Sequence, residues 1–258
     1  MTQSNTPDLW KVHLPRPKPD SHKYDRGFCG IIAAPELTGA TRLAATAALT
    51  SGVGLVRVVA EVRDDVYRAT LPADIMVTTK LNIEEKKITA WLAGPGGIAI
   101  SHHEDIDAAG DVPRILDSSA LPMPDKFPLK GETILTPHGG EFKKMFPDLD
   151  AKKVEDVLEA AKISNALIIS KNEKTLIAHP DGRSLEHNHP NPALARGGTG
   201  DVLAGLVAGL VAQGMPCYEA AGAGVWIHSE AGKGAGHSFT ASDLVENLPR
   251  IIDKLISK

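Results

Sequence analysis

Short runs that are apolar at nearly every position, set between helix-length segments, constrain this chain more than any other feature. Phe28–Ala34, Leu55–Ala60, Asp74–Thr78, Ile88–Ala93, Val112–Asp117, Thr133–Thr136 and Ala166–Ser170 mostly lack the two-residue alternation of a strand with one wet face. Strands of that composition need cover on both sides. The segments between them supply it. Gly39–Ser51 is rich in Ala, carries Leu43 and Leu49, and is stopped by Gly52 and Gly54. Glu141–Phe146, Lys152–Ser164 and the stretches 200–213, 217–232 and 241–256 also read as helices, and Ser101–Ala109 as one with Ser101 at its N-cap. Ala166–Ser170 and Thr175–His179, joined by a tight polar turn, read as a hairpin, followed by a loop over 180–198. The alternation predicts an α/β fold, a three-layer αβα sandwich with a mostly parallel central sheet. Residues 1–27, with Pro7, Pro15, Pro17 and Pro19 among charges, read as an N-terminal arm on a single domain over 28–258.

With 258 residues, 42% of them hydrophobic, the chain can bury one large core. A formal net charge of −4 argues against a nucleic-acid partner, which calls for a basic excess or stripe. Only Cys29 and Cys217 are present, too few for a disulfide framework, so a reducing compartment is expected. The polar N-terminus has no signal-peptide core, and no apolar run is long enough to span a membrane. A cytoplasmic protein without a membrane partner is the expectation. His102, His103, His187 and His189 fall in polar loops, where solvation is expected, and show no zinc-ligand spacing.

The strongest local signal is Gly197-Gly-Thr-Gly-Asp201 ahead of an apolar helix. Glycines let the backbone approach a ligand closely. The free N–H groups and dipole at the helix start make an anion site there. Asp201, in the first turn, would compete with an anion for that positive end. As a mere helix-start charge it would complement the dipole; as a base it would take a proton from a hydroxyl attacking phosphorus. The spacing matches neither common phosphate-loop fingerprint. Gly205 and Gly209, with Ala204, Ala208 and Ala212, permit close packing of the helix, and Gly214 and Pro216 end it.

The segment 191–214 resembles the signature of the NAD(P)H-hydrate dehydratases of the ribokinase-like superfamily. Thr136-Pro-His-Gly-Gly-Glu141, Thr38-Gly-Ala40 with Ser51-Gly-Val-Gly-Leu-Val56, Ala93-Gly-Pro-Gly96 and the stretch 171–182 resemble four more of its motifs in the same order, and the likeness covers roughly 28–256. It implies an enzyme that phosphorylates the hydroxyl of hydrated NADH or NADPH from ADP or ATP, with Mg²⁺, then releases phosphate to restore the intact ring. It further implies Asp201 as the base in contact with the hydrate, and Gly197, Gly198 and Gly200 as the phosphate turn. Ala40, Gly96 and His138 would contact the hydrate. Lys171, Asn172, Glu173, Lys174 and Thr175 would cradle the adenine nucleotide. Glu141 would orient a magnesium or cap its helix. A homotetramer is expected, with any epimerase a separate protein. The chain departs from the pattern at Ala33-Ala34-Pro35, at Ser118 and Ser119, at Gly139 where proline is usual, and at Asn172 where glycine is usual. Two other readings stay open: a hydroxyethylthiazole-type kinase of the same superfamily, and a nucleotide-binding relative without catalysis.

Overall fold

The computed structural model describes residues 2–98, 106, 108–188, 191–236 and 238–257. Its strands are β1 (Gln3–Ser4), β2 (Phe28–Ile32), β3 (Leu55–Val59), β4 (Ile75–Thr78), β5 (Ala90–Ala93), β6 (Arg114–Leu116), β7 (Thr133–Leu135), β8 (Leu167–Ser170), β9 (Thr175–Ala178) and β10 (Ser184–His187). Its helices are α1 (Thr38–Thr50), α2 (Asp64–Thr70), α3 (Gly139–Met145), α4 (Val154–Ser164), α5 (Thr199–Ala212), α6 (Cys217–Gly234) and α7 (Ala241–Ile256). The described strands form one ten-stranded sheet in the order β1-β10-β9-β8-β7-β6-β5-β2-β3-β4. Every pairing is parallel except those of β9, which runs antiparallel to β8 and β10.

The apolar runs are buried on both faces because helices cover both. Cys29, Ile31, Val56, Val58, Ile115 and Ile134 share a core with α1, α5, α6 and α7, whereas Phe28, Ile32, Val59, Trp91, Leu116 and Leu135 pack with α3 and α4. The predicted hairpin is β8–β9. The structure also adds elements that composition hid. α2 carries one buried aromatic, Tyr67, among charged residues. β10 forms inside the expected 180–198 loop, so His187 is buried rather than solvated. The arm contributes β1 in parallel to β10 and buries Trp10, whose indole N–H donates to Asn5 Oδ1 (3.0 Å). Most of the expected helix at 101–109, with His102 and His103, lies outside the described residues, as does His189. Cys29 and Cys217 are buried, free thiols, and burial pushes Cys29 up to about 12. Among the described residues no helix is long and apolar enough to cross a membrane.

The small residues of α5 serve packing, as their spacing predicts. A Cβ at Gly205 would lie 2.1 Å from the Ala44 carbonyl oxygen of α1, and one at Gly209 would lie 2.2 Å from Ser51 Oγ. Backbone carbonyls cannot yield as side chains do. Gly205→Val is therefore expected to destabilise the protein by about 3 kcal/mol or more. Gly234→Ala, in a helix with open space around it, should be neutral or stabilising by up to about 1 kcal/mol. Urea denaturation of both variants checks the pair; equal midpoints would contradict the α1–α5 contact.

Candidate active site

The strand order reverses at β2. From β2 the chain steps outward to β3 and β4, then crosses back to place β5 on the other side of β2. The crevice outside the carboxyl ends of two such strands is where open α/β sheets bind ligands. Here it is bounded by Ala33-Ala34 after β2 and by Gly94-Pro95-Gly96 after β5. Thr41 of α1 staples the two ends: its Oγ1 accepts from the Ala34 amide (2.9 Å) and donates to the Pro95 carbonyl (3.0 Å). Tyr67 adds a 2.7 Å bond from its hydroxyl to the Ala34 carbonyl. Gly96, at φ +80°, has the Leu37 carbonyl oxygen 2.4 Å and Ala40 Cβ 2.8 Å from where a side chain would begin. Gly96 and Ala40 are thus brought together as expected, beside Leu37, an exposed apolar side chain.

Further along the same edge, the ends of β7 and β8 run side by side. The Lys171 amide donates to the Pro137 carbonyl (2.9 Å), and His138 pairs with Lys171 in a parallel bridge. His138 caps α3: its Nδ1 accepts from the Gly140 amide (3.0 Å), while Glu141 Oε2 accepts from the His138 amide (2.8 Å). Glu141 is therefore engaged as the capping partner. Among the described residues no group of three or more His, Cys, Asp or Glu side chains could hold a metal.

The turn before α5 is shaped by Gly198, which sits at φ +91° against Leu43 and Ala241. Thr199 Oγ1 donates to the Leu194 carbonyl (2.7 Å) and the Arg196 carbonyl (2.9 Å), and Arg196 donates to the Phe239 carbonyl. Beneath the turn, His228 Nε2 lies 2.9 Å from the Thr199 carbonyl oxygen. Only a protonated Nε2 can bond that oxygen, so the ring donates. Burial pushes His228 down to about 4, with Lys171 and His187 adding to the effect, so the imidazole is neutral. The amides of Gly197, Gly198, Gly200 and Asp201 make no hydrogen bond among the described residues. They are free for an anion.

Asp201 stands in that first turn, half-buried. Burial raises it to about 6; the Asp117 charge raises it further and Lys171 opposes. Lys171 Nζ lies 3.5 Å from where a Gly200 side chain would begin and 2.7 Å from Asp117 Oδ1. A carboxylate poised near neutrality beside free amides and an ammonium can take a proton from a hydroxyl while a phosphoryl group is held. Of the expected nucleotide cradle, Lys171 points into this cluster. Asn172 is tied down, its Nδ2 donating to the Ala151 carbonyl and to Ser170 Oγ, both at 3.0 Å. Glu173 and Lys174 are exposed at the turn, Lys174 pairing with Glu186 at 3.2 Å, and Thr175 opens β9. Two departures from the family pattern meet: a side chain at Gly139 would begin 3.0 Å from Asn172 Oδ1. The smaller residue at one position makes room for the larger at the other. Sequence reasoning gave no role to Thr41, Asp117, Thr136 or His228, since buried hydrogen-bond partners leave no local signal.

Fold and site together define an α/β protein of ribokinase-like fold, with a carboxylate beside the unbonded amides of a glycine turn. The sequence profile of the NAD(P)H-hydrate dehydratases matches residues 29–254, and the chain belongs to that family. It is 35% identical, over 86% of its length and 48% of the relative's, to a bifunctional NAD(P)H-hydrate repair enzyme of Thermosynechococcus vestitus. The chain spans about half the length of such bifunctional relatives. It is 30% identical, over 93% of its own length and 94% of the other's, to the ADP-dependent (S)-NAD(P)H-hydrate dehydratase of Bacillus subtilis. A crystal structure of the ADP/ATP-dependent dehydratase from that organism, co-crystallised with ATP/Mg²⁺, superposes with a TM-score of 0.87 at 27% identity, covering 98% of this chain and 99% of that one.

The neutral His228 has a pH consequence. Its value falls from an ordinary 6.5 to about 4 on folding. Between those values the unfolded chain binds a proton that the native protein refuses, so stability falls as pH drops through this window. Relative to His228→Gln, the wild-type protein should lose about 3 kcal/mol between pH 7 and pH 4. Denaturant midpoints measured across that range check this; a constant difference would contradict a neutral, buried imidazole.

Proposed function

We propose that this chain restores NADH and NADPH from their (S)-hydrates by transient phosphorylation from ADP or ATP. The observation that carries the reading is Asp201, a carboxylate raised to about 6 within a turn of unbonded amides. Hydroxide is a poor leaving group and phosphate a good one. Asp201 accepts the proton of the hydrate's hydroxyl as that oxygen attacks the terminal phosphorus of the nucleotide. The bond between that phosphorus and the nucleotide's bridging oxygen breaks. The amides of Gly197, Gly198, Gly200 and Asp201 and the Lys171 ammonium hold the phosphoryl oxygens as charge builds. Phosphate then leaves the ring carbon, a neighbouring C–H is deprotonated, and the ring double bond returns. Magnesium, entering with the nucleotide, would neutralise phosphate charge.

Ala40, Gly96 and His138 would contact the hydrate at the crevice between the ends of β2 and β5. Residues 171–175 would receive the adenine nucleotide from the β8–β9 turn. The family relationship supports a homotetramer, and the unpaired thiols support a cytoplasmic setting. A single catalytic domain over 28–258 with an arm over 1–27 completes the reading.

Turnover of hydrated NADPH with ADP and with ATP, followed by recovery of nicotinamide absorbance, tests it. Asp201→Asn should lower kcat by about 10²- to 10⁴-fold. A variant with full rate would remove Asp201 from the role of base. A stable phosphate ester in place of restored NADPH would mark a kinase.

A further inference from the structure

Asp117, the residue after β6, is held under unusual constraint. Its side chain is buried, and its Oδ1 accepts from both Thr136 Oγ1 (2.5 Å) and Lys171 Nζ (2.7 Å). Its backbone is seated as firmly. The amide donates to the Ala93 carbonyl (3.1 Å), and its carbonyl oxygen lies 1.7 Å from where a Gly94 side chain would begin. Ser118, the next residue, is a non-glycine in the left-handed region at φ +48°. Strain of that kind persists only where surrounding contacts over-determine it. Backbone and side-chain contacts together fix one carboxylate oxygen, which grips the Lys171 ammonium.

We propose that Asp117 is a positioning residue: it holds the Lys171 ammonium at the first turn of α5, facing the phosphate turn and kept out of a pair with Asp201. The inference rests on Asp201 as the base. Left alone, Lys171 would swing onto Asp201, keep it ionised and spend its basicity in an ion pair. Held by Asp117, the ammonium faces the phosphate turn while Asp201 stays unpaired. Among the described residues, the neighbouring elements supply no competing charge. Asp201 is the sole charged residue of α5. From α6, His228 is neutral. From α1, Arg42 reaches the Thr70 carbonyl, and from α7, Asp243 is bound within its own cap to Thr240. Among the described residues, Asp117 and Lys171 are the two charges that act on Asp201.

Single charge removals should therefore move the acidic limb of the pH–kcat profile in opposite directions. With saturating hydrated NADPH and ADP, Asp117→Asn should shift the limb down by about one pH unit and Lys171→Met should shift it up by a similar amount. The double variant should return toward the wild-type position, because the pair is removed as a unit. Thermal melts establish that each variant is folded. Should Asp117→Asn fail to fold, Lys171→Met still carries the test through its upward shift. Titration of the Asp201 carboxyl carbon by NMR gives the same shifts without turnover. A purely structural role would lower rates and leave the limb in place, and that result overturns the inference. Asp201→Asn separates the two failures. If it abolishes turnover while the limbs stay fixed, Asp201 remains the base and only the pair's role is lost; if it retains full rate, the base assignment itself falls.

Discussion

The seating of α5 against α1 is the contact on which the site depends. Gly205 and Gly209 let the α5 backbone come within van der Waals reach of the Ala44 and Ala48 carbonyls. That approach has two consequences. It buries an almost wholly apolar helix, and it brings the amino end of α5 to the carboxyl edge of the sheet. At that edge Gly198 fits between Leu43 of α1 and Ala241 of α7. The same helix α1 sends Thr41 across to clamp the ends of β2 and β5. One interhelical contact therefore positions both the anion turn and the crevice beside it. A larger side chain at Gly205 would move the two together.

The electrostatics follow from that placement. A helix start offers unbonded amides and partial positive charge, which draws an anion. A carboxylate in the same turn would ordinarily fill that role itself. Burial and the nearby Asp117 charge offset this attraction and leave Asp201 near neutrality. His228 supports the turn from beneath as a neutral donor. A charged group there would compete for the same anion. The cluster thus combines an open anion site with a carboxylate that does not occupy it, and phosphoryl transfer to a hydroxyl would use both.

Much of this was legible along the chain. The apolar runs of β2, β3, β5, β6 and β8 announced a sheet covered on both faces, because parallel strands leave no wet face to record in alternation. Gly197–Asp201 announced a glycine turn at a helix start, because both are local properties. Other parts could not be read. β10 carries Ser184, Glu186 and His187 and looks like loop; it is a strand because β9 and β1 complete its hydrogen bonds. α2 is short and charged, and Tyr67 alone anchors it. Glu141 offered two readings, and the structure shows it in a capping box with His138. The departures at Gly139 and Asn172 looked independent, yet they are neighbours in space that exchange volume.

By itself the sequence determined the layered α/β architecture, the glycine turn at a helix start and the identity of its carboxylate, since each rests on periodicity or on residues adjacent in the chain. Only the tertiary structure decided what surrounds that carboxylate. Asp117, Thr136, Lys171, Asp201 and His228 come from the ends of β6, β7 and β8 and from two helices, and no spacing rule connects them. Parallel strands carry their carboxyl ends to one edge whatever their separation in sequence. The charges and hydrogen bonds that tune Asp201 therefore exist only once the sheet has formed.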